Sequence, residues 1–194
     1  EVLPVNDAPT LSFIGSQIMD EDSQLVITLE ATDPENDELT FEAQFDDGES
    51  YINGNELTII PNANFNGSID LWVYVTDGSL GDSEDVTITV LPVNDAPTID
   101  LIADAQVSEG GEFQLSLSSS DIDSNDLYYS VSVDGNASAY VDSDTLIINP
   151  FSGYNGDITV TVYVSDGYLS DSTSFNLEVL PVNDAPTLSF IGSQ

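Results

Sequence analysis

The chain has 194 residues, 36 of them acidic, with no Lys, Arg or His and a formal charge of −36. Nothing in it can replace counterions on phosphate, which excludes nucleic-acid binding by backbone neutralisation, and the same charge argues against direct docking on anionic lipid heads. Without cysteine there is no disulfide framework, and no apolar run reaches the ~18 residues of a membrane span.

The predicted elements are all short strands. Leu11, Phe13 and Ile18 suggest a first strand broken at Gly15-Ser16, followed by the acidic cluster Asp20-Glu21-Asp22. From Gln24 to Glu30 the pattern alternates, with Leu25, Ile27 and Leu29 on one face, which predicts a half-buried strand. ATDPENDE (31–38) is a polar turn region, and Leu39 to Ala43 resumes the alternation. Tyr51-Ile52 and Leu57 to Ile60 form a hairpin joined through Asn53-Gly54. After the loop PNANFNG (61–67), Ile69, Leu71, Val73 and Val75 share one face, with Trp72 and Tyr74 on the other. The pattern leaves open which of the two faces is buried. A turn at Asp77-Gly78 leads to a last strand, Val86 to Val90.

LPVNDAPT then recurs at Leu3, Leu91 and Leu180, at intervals of 88 and 89 residues, and Glu1 to Gln17 is identical to Glu178 to Gln194. A fixed period of this size marks an array of modules. The second repeat retraces the first, with strands near Phe113 to Ser118, Leu127 to Val133, Tyr140-Val141, Thr145 to Ile148, Ile158 to Val164 and Ser174 to Val179. The expected organisation is the end of a preceding linker (1–9), repeat 1 (10–92), a linker (93–97), repeat 2 (98–181), and a further linker with the start of a third repeat (182–194). No window has helical periodicity. The fold class expected is all-β: two tandem seven-stranded Greek-key β-sandwiches of the immunoglobulin-like kind.

Among 36 acids a lone Asp is uninformative, so the signal lies in acids at equivalent turns of both repeats. Glu21 and Glu109 follow the first strand. Asp33-Pro34-Glu35 and Asp121-Ile122-Asp123 lie between the second and third strands. Asp77 and Asp166 open Asp-Gly turns, and Asp7, Asp95 and Asp184 lie in the linkers, each preceded by Asn. Strands alternate in direction, so Glu21 is expected at the foot of repeat 1, next to Asn94-Asp95 of the linker. Asp121, Asp123 and Asp166 are expected at the head of repeat 2, at that same junction, and with Glu21, Asn94 and Asp95 are read as the complete site. Oxygen-only ligation of high coordination number is calcium chemistry, with no nitrogen or sulfur for zinc or copper. Asp7, Asp33, Glu35 and Asp77 are read as an incomplete site at the start, and Glu109 and Asp184 as another near the end. Any one of these motifs alone is also an ordinary turn former and solubilising charge.

These residues carry a resemblance to cadherin repeats, and in particular to the bacterial cadherin-like repeats of large surface and secreted proteins. VNDAPT resembles the linker signature, Asp121-Ile122-Asp123 the acid-x-acid motif, Glu21 the first-strand glutamate and Asp166-Gly167 the late Asp-x-Gly. Asn66-Gly67 and Asn155-Gly156 recur at the same place in such bacterial repeats. Two departures stand out. Pro61 to Asn64 and Asn149 to Ser152 replace an acidic Asp-x-Glu, and the linker has one acid where cadherins often have two. The resemblance therefore implies calcium without the cadherin count of three ions. It also implies an extracellular location and neighbouring repeats as partners.

The function expected is a calcium-rigidified extracellular spacer or adhesion module of a long bacterial surface or secreted protein. The alternative is a carbohydrate-binding module of a polysaccharide-active or adhesin protein, using Trp72, Tyr74, Tyr128, Tyr129 or Tyr163. Adhesion to another surface protein through a sheet face is the third reading. Catalysis finds little support, because triads and Schiff bases need His, Cys or Lys, and a carboxylate pair needs a cleft that an 85-residue sandwich seldom has.

Overall fold

The computed structural model describes residues 5–183 and 185, which form two units divided between Val93 and Asn94. Unit 1 holds nine strand segments: β1 (Thr10–Leu11), β2 (Gln17–Asp20), β3 (Leu25–Thr28), β4 (Ala31–Thr32), β5 (Thr40–Gln44), β6 (Gly48–Asn53), β7 (Glu56–Pro61), β8 (Gly67–Thr76) and β9 (Gly81–Leu91). They amount to seven strands, because β1 and β2 are the halves of the broken first strand and β4 continues the course of β3. One sheet has the order β2-β9-β8-β5, with β2 parallel to β9, and the other has the order β3-β7-β6, extended by the β1-β4 pair. β5 pairs with β8 within the first sheet rather than with its sequence neighbours β4 and β6, which belong to the other layer, and this is the Greek-key crossing.

The break in the first strand has a local cause. Gly15 takes φ +72°, a conformation that costs a side-chain-bearing residue 1–2 kcal/mol in rough terms. The Glu84 carboxylate then accepts the backbone N–H groups of Ile14 (2.9 Å) and Gly15 (3.0 Å), closing off donors that the break leaves without a ladder. Inward-facing residues are Leu11 and Met19, whereas Phe13 and Ile18 point to solvent.

β8 resolves the ambiguity left by its pattern. Ile69, Leu71, Val73 and Val75 are buried, opposite Ile27, Leu29, Leu57 and Ile59 of the facing sheet. Four aliphatic side chains buried fully contribute roughly 1.5–3 kcal/mol each relative to exposure, which fixes the register of the longest hairpin. The β6-β7 hairpin pairs Asn53 with Glu56, so its two loop residues are Gly54 and Asn55, with φ +65° at Gly54. That places the glycine first in the loop, so the turn lies one residue later than one centred on Asn53-Gly54.

Unit 2 repeats the architecture with β10 (Thr98–Ile99), β11 (Ala105–Ser108), β12 (Phe113–Ser116), β13 (Ser119–Ser120), β14 (Tyr128–Val133), β15 (Ala137–Asp142), β16 (Thr145–Pro150), β17 (Gly156–Ser165) and β18 (Ser170–Leu180). Its sheets run β11-β18-β17-β14 and β12-β16-β15, with a β10-β13 pair. Its core is built from Leu146, Ile148, Ile158, Val160, Val162 and Leu177 with their neighbours. Both units are all-β sandwiches, and no helix among the described residues is long and apolar enough to cross a membrane.

Candidate metal centres at the linker end of each unit

Three segments meet at the end of unit 1 where the chain enters: the linker at Asn6-Asp7, the β4–β5 loop and the β8–β9 turn. The Asn6 side-chain amide donates to Asp77 Oδ2 (2.8 Å), and the Asp7 backbone N–H donates to Glu35 Oε2 (3.2 Å). Unit 2 builds the same bonds from its own residues. Asn94 Nδ2 donates to Asp166 Oδ2 (2.6 Å), and the Asp95 N–H donates to Asp123 Oδ2 (2.7 Å). These partners are 71 and 28 residues apart in the first unit, and 72 and 28 in the second. Pro9 and Pro97 are buried immediately after these contacts, pinning the linker as it enters each sandwich.

Each turn is organised by its own carboxylate. Asp77 Oδ1 accepts the N–H groups of Ser79 (2.6 Å) and Leu80 (2.8 Å), and Asp166 Oδ1 those of Tyr168 (2.6 Å) and Leu169 (2.7 Å). These bonds favour the ionised form. Asp77 is held below the ordinary aspartate value chiefly by the Leu80 N–H and the Asn6 amide. Asp166 is held low chiefly by the Tyr168 N–H and the Asn94 amide. In the other loop Asp33 Oδ1 accepts from Glu35 (2.9 Å) and Asp37 (3.0 Å), and Asp121 Oδ1 from Asp123 (2.8 Å) and Ser124 (2.7 Å).

The second oxygen of that loop aspartate is the exception. Asp33 Oδ2 and Asp121 Oδ2 are both buried without a hydrogen-bond donor. A buried carboxylate oxygen left unpaired costs roughly 1–3 kcal/mol or more, and the same orphan occurs at the same place in both units. No Lys, Arg or His exists in the chain to neutralise it. Among the described residues no three or more acidic side chains are gathered into a ready-made cage. The groups present are oxygen donors alone, which fits a hard cation such as calcium and fits zinc or copper poorly.

Glu21 sits apart from this group, at the opposite end of unit 1. It is 3% exposed, its Oε1 accepts the Val93 N–H (2.6 Å), and its Oε2 accepts from Asn66 Nδ2 (3.2 Å). Its own N–H donates to Leu91 O (2.9 Å). Glu109 repeats the backbone bond alone, donating its N–H to Leu180 O (2.8 Å). Asp184 lies outside the described residues. Thus Asp33, Glu35 and Asp77 are brought to the Asn6-Asp7 linker in unit 1, and Asp121, Asp123 and Asp166 to Asn94-Asp95 in unit 2. Glu21 holds Val93, the first linker residue, and the Glu109 N–H bonds Leu180 O at the end of the last strand.

Three anchors escaped the sequence reading. Asp82 Oδ2 accepts the Leu11 N–H (2.9 Å) and Asp171 Oδ2 accepts the Ile99 N–H (3.1 Å), tying the first strand to the last in each unit. The equivalent triplets Gly81-Asp82-Ser83 and Ser170-Asp171-Ser172 carried that signal. Asn66, noted as part of a recurring Asn-Gly, turns out to be the side chain that satisfies Glu21.

A model described as cadherin-like domain matches residues 5–91, and one described as bacterial Ig domain matches residues 94–178. Chitinase A of Pseudoalteromonas piscicida is 28% identical over 187 residues, 94% of this chain, which spans 23% of the length of that protein. Among solved structures, human protocadherin-24 EC1-2 aligns with a TM-score of 0.54 at 17% identity, covering 93% of this chain and 100% of that one. Drosophila N-cadherin EC1-4 aligns at 0.53 and 20% identity, covering 92% of this chain and 50% of that one. At such identities the two structures share the fold. Residues 5–91 thus match a cadherin-like domain and residues 94–178 a bacterial Ig domain, two β-sandwich modules in tandem.

Proposed function

We propose that this chain is a calcium-binding, non-catalytic spacer of a longer extracellular bacterial protein, stiffened at its linkers by the ion. The observation that carries the reading is the buried, donorless carboxylate oxygen of Asp33 and of Asp121, repeated beside the linker in both units of a chain without cations. In each unit the orphan oxygen, the remaining carboxylate oxygens of Asp7, Glu35 and Asp77 or of Asp95, Asp123 and Asp166, and backbone carbonyls would supply the ligands. The linker is already gripped at consecutive residues: Val93 by Glu21 in unit 1, Asn94 and Asp95 by Asp166 and Asp123 in unit 2. Calcium on these carboxylates would tighten the grip.

Extracellular calcium modules bind with Kd of about 10⁻⁴–10⁻³ M, so the ion would be held where calcium is millimolar and released in the cytosol. The similarity to part of a chitinase supports setting the chain in a polysaccharide-active protein, where spacers separate catalytic from anchoring parts. Small-angle scattering of the whole chain with calcium and with chelator tests the reading. A longer maximum dimension and reduced flexibility with calcium are expected, and identical profiles would refute it.

A further inference from the structure

The outward face of β8 differs between the two units in a way that the shared fold does not require. In unit 1, Trp72 and Tyr74 are stacked with ring centroids 5.3 Å apart and planes within 10°. Trp72 remains 37% exposed. Its cross-strand neighbours are Gln44 on β5 and Asp85 on β9, while Tyr74 lies between Glu42 and Ser83. Gly81 makes the stack possible: any Cβ there would collide with the Tyr74 ring and hydroxyl.

Unit 2 has the same register without the site. Thr161 takes the place of Trp72, and its hydroxyl pairs with that of Ser174 at 2.9 Å. Ser170 takes the place of Gly81, opposite Ser165 where Gly81 lies opposite Thr76. Tyr163 is left without a stacking partner among the described residues and is 41% exposed. Two sandwiches with one topology thus carry an aromatic platform on one and a hydroxyl pair on the other.

We propose that the outer face of the β2-β9-β8-β5 sheet in unit 1 binds a neutral polysaccharide chain of equatorially substituted pyranose rings. Such rings present a flat face of C–H groups that packs on an indole, with hydroxyls at the rim that donate to carboxylates and amides. Trp72 supplies the face, held in one orientation by Tyr74, so little side-chain freedom remains to be lost on binding. Asp85, Glu42 and Gln44 supply rim acceptors. Charge decides between polymer classes. Anionic polymers are repelled by a −36 chain that has no Lys or Arg. Cationic polymers would adhere to any surface of it, so specificity belongs to neutral chains. The proposal rests on the part of the proposed function that places the chain beside polysaccharide, and it is independent of calcium at the linkers.

Trp72 is the sole tryptophan, so its emission reports on this face alone. Cellohexaose and N-acetylchitohexaose are titrated into the whole chain in calcium and in chelator, with retention on insoluble cellulose, chitin and a calcium-free alginate resin as a second readout. A saturable emission change with a neutral oligosaccharide in both buffers is expected. Trp72→Ala should weaken retention by about tenfold, the upper end for one aromatic contact, and Asp85→Asn, which leaves the stack intact, by severalfold. Tyr163→Ala should leave retention unchanged. No emission change with either oligosaccharide, binding to alginate only, or an equal loss in Tyr163→Ala would overturn the proposal. Binding seen only with calcium would shift the ligand to the linker and overturn it as well.

Discussion

Asp121→Asn separates the two roles that its carboxylate plays. Oδ1 organises the loop by accepting two backbone N–H groups at 2.8 and 2.7 Å, and an asparagine carbonyl retains both bonds. Oδ2 is the buried oxygen with no donor, and the amide replaces it with an NH₂ facing the acids of the same end. Without calcium the variant should therefore be as stable as wild type or better by about 1 kcal/mol, the low end of the 1–3 kcal/mol attached to an unpaired buried group. With calcium the order should invert. At about 100 times Kd, which means about 10 mM for a site at the tight end of the extracellular range, one ion adds about 2.7 kcal/mol to the folded state. For a unit of this size that is a rise of roughly 10–20 °C in Tm. Asp121→Asn should lose most of that rise for unit 2 while unit 1 keeps its own, and Asp33→Asn should do the reverse. Differential scanning calorimetry in EDTA and in calcium reads both units in one scan. A calcium-dependent rise in Asp121→Asn equal to wild type would refute the assignment of Oδ2 to the metal.

Glu21→Ala strands the Val93 N–H and the Asn66 amide, and unit 1 should lose about 2–3 kcal/mol in urea unfolding, as expected for hydrogen bonds to a charged group. Gly81→Ala should expel Tyr74 from its place over β9, exposing Trp72 further and shifting its emission to longer wavelength, with a cost of about 1–3 kcal/mol for the overpacking. Asp77 and Asp166 are held below the ordinary aspartate value, so their contribution to stability is present above about pH 3.9 and lost as pH falls through their lowered folded values. In calcium-free acid titrations followed by circular dichroism, Asp166→Asn should flatten the loss in that window for unit 2.

Much of the sandwich was legible because its signals are local. The alternation Ile69, Leu71, Val73, Val75 has a period of two, and Gly15 marks a break that only a positive φ satisfies. The two-residue strands at Ala31–Thr32 and Ser119–Ser120 were not legible, since short, mostly polar pairs look like loop. The site was legible only through repetition. Asn94 meets Asp166 across 72 residues, and no local pattern records that contact; what pointed to it was the reappearance of the same acids one period later. The same logic failed for Asp82 and Asp171, because a chain with 36 acids hides two structural carboxylates among solubilising ones. Nor could the sequence show that Glu21 is buried while Glu109 is half-buried, since the two follow equivalent strands.

Calcium binding by the linker-end carboxylates is the claim on which the spacer reading stands, and calorimetric titration of calcium into the whole chain tests it most directly. Saturable uptake with Kd of about 10⁻⁴–10⁻³ M, diminished in Asp33→Asn and Asp121→Asn and abolished in the double variant, is the predicted result. No uptake by the wild-type chain, or uptake unchanged in the double variant, would contradict it.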